Sequence, residues 1–375
     1  MTVVVSALAF LLLLSVLILI HEWGHFAAAR KAGVIVEEFG FGLPPRAKKL
    51  FRSRGGTIFS LNWIPFGGFV RLRGENAATD HERRDKGNFA AASIGARCVI
   101  LLAGVFMNFL LAILIFSIGF SAGHWIPTYI TAEEMEQASA RGEIHLKLAV
   151  LVEEVIGGMS AAKAGVPTHA IITAVNGKPV SKPSDVTAAQ EGSVYAAYTV
   201  TRKLEDGTYS SKPETFSIAL KDGKSGVVLR AFPLELSAPL RDPLHGILLG
   251  FRETKVVTVQ TVLGIGRLVL SLLETGRIPE GIAGIVGIAQ LTHASVQQGF
   301  MTYLRLVAIL SLSLAVLNVL PFPALDGGRL LFVLAEFVAR RPVNRRFEVT
   351  ANAVGFVLLI LLILFITFND ILRLF

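Results

Sequence analysis

The residues best suited to chemistry are His21, Glu22 and His25, within the run His21-Glu22-Trp23-Gly24-His25. On a helix, positions i and i+4 share a face, so both imidazoles can reach one ion. Glu22, beside the first of them, can touch a water on that ion without being a ligand itself. Such a set serves metal-assisted hydrolysis. Zinc at a catalytic site takes three protein ligands and keeps one position for water, whose pKa it lowers to about 7. Glu22 would then be the general base that takes the water's proton and passes it to the leaving amine.

A third ligand is needed, and no cysteine-based site can supply it, because Cys98 is the only cysteine. Asp326 is the candidate, in Asn318-Val319-Leu320-Pro321-Phe322-Pro323-Ala324-Leu325-Asp326-Gly327-Gly328. The prolines end a helix and the glycines let the backbone turn sharply. Asp326 therefore sits on irregular backbone, which at membrane depth is tolerated only where it is buried or lines a wet cavity. Read alone, the segment is equally a helix-stop turn with a capping Asp. Asn318 can donate to a substrate backbone or a developing oxyanion, and a helix–helix hydrogen bond accounts for it nearly as well.

The elements that must position these groups are membrane helices. The chain has 375 residues, 53% hydrophobic and 17% charged, against about 25% charged in a soluble domain. The deficit is concentrated in long apolar runs, at 3–29, 99–120, 304–320 and 354–368. Each is near the ~20 residues that cross a hydrocarbon core, the last on the short side. The first run lacks a basic leader and a small-residue cleavage site and leads directly into His21, so it reads as a retained helix rather than a signal peptide. Two His and a Glu at the end of such a helix are expensive unless they act.

Lys and Arg crowd the loop after the first run (Arg30, Lys31, Arg46, Lys48, Lys49, Arg52 and others) and the loop after the third (Arg329, Arg340, Arg341, Arg345, Arg346). The positive-inside rule makes both loops cytoplasmic, and the N-terminus and 121–300 extracytoplasmic. The net charge of +8 is then a topology signal, with no basic helix to suggest nucleic acid. Val256–Leu273 is apolar enough for a fifth span. If it crossed, Asp326 would lie on the far side from His25, so the reading favours an interfacial or partly inserted amphipathic helix.

The pairing of His21-Glu22-Trp23-Gly24-His25 with Asn318, Pro321, Pro323, Asp326 and Gly327 resembles the site-2 protease family, in its bacterial regulator-of-sigma-E protease form. The likeness extends over most of the chain, including Gly40-Phe41-Gly42, Gly56-Thr57, Ile64-Pro65-Phe66-Gly67-Gly68-Phe69-Val70 and Ala283-Gly284-Ile285-Val286-Gly287-Ile288. The resemblance implies an intramembrane zinc metalloprotease of the bacterial plasma membrane, with His21, His25 and Asp326 on Zn2+ and Glu22 catalytic. Its partners would be the bilayer and single-span proteins such as a membrane-tethered regulator or anti-sigma factor. A transport or metal-binding membrane protein, or an inactive scaffold, is the alternative. Glu22 argues against transport, and the intact motifs argue against an inactive scaffold.

The fold class expected is a polytopic α-helical membrane protein of about four spans, with a membrane-associated β-element and one extracytoplasmic PDZ-like α+β domain. Its parts are a first span over 1–30, a basic loop with the β-element over 31–97, a second span over 98–121 and a connector over 122–146. The PDZ-like domain over 147–235 and a connector with an amphipathic helix over 236–300 follow, then a third span over 301–329, a loop over 330–350 and a fourth span over 351–375. Residues 55–73 alternate β-rich runs with Pro and Gly, and could hold an unwound substrate by strand addition or merely plug space. The 147–235 segment resembles a PDZ domain, with Asn176-Gly177 as a hairpin turn. It departs at Pro167-Thr168-His169-Ala170, where the family has Pro-Gly-Asp; a peptide-binding and a size-filtering role both stay open. His81, His124, His145, His169, His245 and His293 lack ligand spacing and read as solvated or interfacial.

Overall fold

The computed structural model describes residues 2–75, 85–129, 131–204 and 208–373, and His81 lies outside them. The chain divides into two compact units, one of residues 1–123 with 241–375, the other of 124–240.

The first unit is built from helices α1 (Thr2–Lys31), α2 (Ile94–Ala122), α6 (Pro243–Thr275), α7 (Ile285–Gln298), α8 (Phe300–Val319), α9 (Asp326–Ala339) and α10 (Arg345–Leu372), with strands β1 (Val36–Arg52) and β2 (Ile58–Leu72). Five of these helices, α1, α2, α6, α8 and α10, are long and apolar enough to cross a membrane, one more than the sequence reading counts. The added helix, α6, begins well before the 256–273 run. The third apolar helix ends at Val319, in keeping with the 304–320 run, and 326–339 forms a separate helix where the end of the 301–329 segment and a loop from 330 were expected. α2 is the central helix: α1, α6 and α8 pack along it, and α9 meets it as well. It therefore buries residues on several sides, among them Ile100, Leu101, Gly104, Val105, Asn108, Ala112 and Phe116. Apolar side chains of α10 such as Val357, Leu361 and Leu364 are exposed instead, the outer surface that lipid covers.

α6 carries the buried Glu253, which pairs with Arg305 of α8 at 3.2 Å. A buried carboxylate is tolerated when paired in this way. Gly246 and Gly250 of the same helix pack against Ser121 and Ser117 near the C-terminal end of α2. Its other half, through Leu268 and Leu272, packs with Ile278 and Ile282 against Leu362 and Ile366 of α10. Asp370 Oδ2, near the end of α10, accepts from the N–H groups of Gly284 (2.8 Å) and Gly287 (2.9 Å) at the start of α7.

β1 and β2 pair antiparallel, but both bend. Glu38 faces both Arg71 and Ile58, Phe41 faces both Gly68 and Leu61, and Lys49 faces Ser60. Segment 36–41 thus lies between 58–61 and 68–72, leaving 68–72 and 46–52 outermost. Glu38, buried at 2% exposure, accepts from Arg46 and Ser60. Burial alone would raise its pKa; the Arg46 and Ser60 bonds and the nearby charges of Arg46 and Arg71 instead hold it below the ordinary glutamate range.

The second unit contains α3 (Ala132–Ala140), β3 (His145–Val155), α4 (Ser160–Lys163), β4 (Ile171–Val175), β5 (Lys178–Pro179), α5 (Pro183–Gln190), β6 (Tyr195–Thr201), β7 (Glu214–Ala219) and β8 (Val227–Ser237). The antiparallel strands run in the order β7-β6-β4-β3-β8, with β5 hairpinned on β4. Asn176 and Gly177, at φ 51° and 77°, make the expected tight turn between Val175 and Lys178. His169 is also left-handed at φ 59°, and its N–H donates to Val152 O at 2.7 Å, which ties the segment that lacks the Gly-Asp pair to β3. Ile172, Val200, Tyr198 and Ile218 form a fully buried core. Each large side chain contributes roughly 1.5–3 kcal/mol on burial, against about 0–1 kcal/mol for exposed pairs such as Lys147–Glu235. The core therefore holds this unit together.

Candidate metal centre

His21 and His25 lie one turn apart on α1 and point to the same place. His21 Nε2 is 3.1 Å from His25 Nε2, and Asp326 Oδ2 is 3.0 Å from the former and 3.2 Å from the latter. A tetrahedral ion with bonds of roughly 2.0–2.1 Å holds its ligand atoms about 3.3 Å apart. The triangle fits such an ion, and the chemistry of the donors, two imidazoles and a carboxylate, suits zinc. The imidazoles are buried, and Asp326 is the most open of the three, at 20% side-chain exposure against 7% and 10%. Among the described residues this is the cluster of His, Cys, Asp or Glu able to hold a metal ion.

The helix that faces α1 has given up a side chain to make room. A Cβ on Gly104 of α2 would lie 2.4 Å from His25 Nε2 and 2.9 Å from His21 Nε2. His25 Nδ1 lies 2.8 Å from the Ile100 carbonyl, which can only accept. Nδ1 therefore carries the proton and Nε2 offers its lone pair to the ion.

Asp326 reaches the centre because the chain breaks after Val319 and restarts at Asp326 itself, the first residue of α9, where the positive end of the helix favours a carboxylate. The break folds back tightly. A Cβ on Gly327 would lie 2.2 Å from the carbonyl oxygens of Val319 and Leu320. Ala324, left-handed at φ 77°, donates its N–H to Asn352 Oδ1 of α10 at 3.1 Å. Ion pairs of Arg329 with Glu75, and of Glu336 with Arg97 of α2 at 2.7 Å, pin α9 beyond it.

Glu22 is half-buried beside the cluster, in electrostatic contact with His25, His21 and Asp326. The Val70 N–H, on the outermost segment of the sheet, is hydrogen-bonded to its carboxylate. Asn318 Nδ2 is 3.5 Å from His21 Nε2. The five residues singled out in the sequence thus gather around one point. Gly104, Val70 and Asn108 were not singled out; a lone Asn inside the apolar run 99–120 was the signal available for the last.

The model of peptidase family M50 matches residues 9–362. The chain belongs to peptidase family M50. It is a zinc metalloprotease of the site-2 type and an integral membrane protein. A relative from Clostridium perfringens, a zinc metalloprotease by name, is 31% identical over 374 residues, spanning 96% of this chain and 97% of its own. Zinc metalloprotease RasP of Oceanobacillus iheyensis is 28% identical over 458 residues, covering 99% of each. RasP of Geobacillus kaustophilus is 25% identical, covering 99% of this chain and 98% of its own.

Proposed function

We propose that this M50 protease hydrolyses peptide bonds in or near the transmembrane segment of single-span membrane proteins, such as an anti-sigma factor or another membrane-tethered regulator. The observation that carries the reading is the convergence of His21, His25 and Asp326 to within 3.0–3.2 Å from two apolar helical segments at opposite ends of the chain. His21, His25 and Asp326 are the zinc ligands. The ion, when bound, would supply acidity, lowering the pKa of water to about 7, and would polarise the scissile carbonyl. Glu22 takes the proton of the attacking water on its carboxylate and delivers it to the amide nitrogen that leaves. The Val70 N–H keeps that carboxylate oriented. Asn318 Nδ2 donates to the oxygen on which negative charge develops.

A helical substrate hides its scissile bonds, so it must unwind at the centre. The 68–72 edge, beside Glu22, offers backbone groups to which an extended segment adds as a strand. The loops rich in Arg and Lys face the cytoplasm, and the N-terminus and the 124–240 unit face outward. Four helices cross. The fifth, α6, stays on the outer side, because its first half meets the C-terminal end of α2 and its second half meets Ile366 near the C-terminal end of α10. The 124–240 unit is PDZ-like; its β8 edge, beside α5, binds an extended peptide or its bulk excludes substrates with large outer domains.

The test is cleavage of a tagged single-span substrate in cells by wild type, Glu22→Gln and Asp326→Ala. Glu22→Gln should lose about 10²–10⁴-fold in rate while keeping its zinc, and Asp326→Ala should lose both. Full cleavage by either variant would overturn the mechanism.

A further inference from the structure

Asn108 lies on α2 one turn beyond Gly104, with 0% exposure and inside an otherwise apolar stretch. A buried primary amide needs a reason, because an unpaired amide in such a place costs about 1–3 kcal/mol. Its side-chain Nδ2 sits 3.5 Å from His21 Nδ1, and among the described residues its Oδ1 has no hydrogen-bond partner. Its backbone carbonyl is engaged elsewhere, accepting from Ser311 Oγ at 2.9 Å, which ties this turn of α2 to α8. The side-chain amide is thus held in place against one imidazole.

His21 turns Nε2 toward His25 and Asp326. A ligand histidine that gives Nε2 to a metal carries its proton on Nδ1, and that N–H seeks an acceptor. For His25 the acceptor is the Ile100 carbonyl at 2.8 Å. For His21 the group at hand is the Asn108 amide. A half-turn about its last side-chain bond exchanges Nδ2 for Oδ1 in nearly the same volume. That half-turn replaces a donor facing a donor by an acceptor facing one. We infer that Asn108 is a positioning residue of the metal centre, whose Oδ1 accepts from His21 Nδ1–H and so fixes the tautomer and ring orientation in which Nε2 binds the ion. Ile100 and Asn108, two turns apart on one face of α2, then do the same task for the two imidazoles, and Gly104 between them leaves space for the ion. The inference rests on His21 being a zinc ligand.

The experiment measures zinc retained by the purified full-length protein in detergent against graded chelator, for wild type, Asn108→Leu, Asn108→Ala, Asn108→Asp and His21→Ala. Circular dichroism and gel filtration report the fold of each. Leu fills the volume and removes the acceptor, whereas Asp keeps an acceptor oxygen. Asn108→Leu and Asn108→Ala should bind zinc about 10–100-fold more weakly while folded, and Asn108→Asp should stay near wild type. Wild-type affinity in folded Asn108→Leu or Asn108→Ala, with His21→Ala depleted, would overturn the role of Asn108 and leave the metal centre standing. So would a loss in Asn108→Asp as large as in Asn108→Leu, the arm that decides if the apolar variants do not fold. Zinc retained by His21→Ala would instead overturn the ligand assignment.

Discussion

Tyr198 in the 124–240 unit and His21 in the membrane unit are both buried polar rings, and their surroundings differ in one respect. The Tyr198 hydroxyl is closed on two sides, donating to Gln190 Oε1 at 2.7 Å with Ser225 Oγ at 3.0 Å. Nothing there points at empty space, and packing surrounds it with Ile172, Val200 and Ile218. His21 instead turns its Nε2 toward another lone pair on His25 and a carboxylate on Asp326. Two imidazole nitrogens and a carboxylate oxygen meet within 3.0–3.2 Å, the donor set and spacing that a metal ion takes. Buried polarity that satisfies itself builds a fold; buried polarity that converges on a gap is built for an ion.

The contrast can be broken hardest at the gap. Gly104→Val should abolish zinc retention, since even a Cβ there would lie 2.4 Å from His25 Nε2; metal analysis of the purified variant checks this, and zinc at wild-type level would show that the ion sits elsewhere. At the self-satisfied site the expected effect is on stability. Tyr198→Phe leaves Gln190 and Ser225 without their shared partner, and should destabilise the 124–240 unit by about 1–3 kcal/mol in thermal or denaturant unfolding. The rate on a substrate lacking a large outer domain should stay unchanged. The smallest effect belongs to Glu38, whose pKa in the fold lies below its unfolded value. Its contribution to stability is present above the unfolded pKa and is lost as pH falls through the folded one. Unfolding of wild type and Glu38→Gln, compared between about pH 3 and 7, should therefore differ near neutrality and converge in acid.

The sequence made the metal centre legible because its residues are chemically conspicuous. Two His at helical spacing and an Asp between prolines and glycines stand out in apolar surroundings. Asn108 did not, since one amide in a hydrophobic run has many explanations and its neighbour, His21, is 87 positions away. The β-element was read only at 55–73. Its partner, Val36–Arg52, is exposed from Leu43 to Phe51 and carries Arg46, Lys48 and Lys49; such a charged outer strand lacks the alternation that marks a half-buried one. The helix at 326–339 was hidden because the prolines that end α8 also stand just before its start. α6 read short because its first turns, with Arg252, Glu253 and Lys255, lower the local hydropathy, although Glu253 is neutralised by Arg305.

The distance along the chain between His21 and Asp326, 305 positions, has a consequence for what the ion does to folding. Closing so long a loop costs about 5 kcal/mol of chain entropy at (3/2)RT ln n, and a metal that alone joined its ends would be a structural clasp. Here the ends are already joined elsewhere: Tyr303 donates to Ala9 O at 2.9 Å, and Ser6 Oγ meets His293 Nδ1 at 2.8 Å. The entropy is spent before the ion arrives. The protease accordingly owes its topology to helix packing, and an ion held by His21 and Asp326 would enter a ring that has already closed.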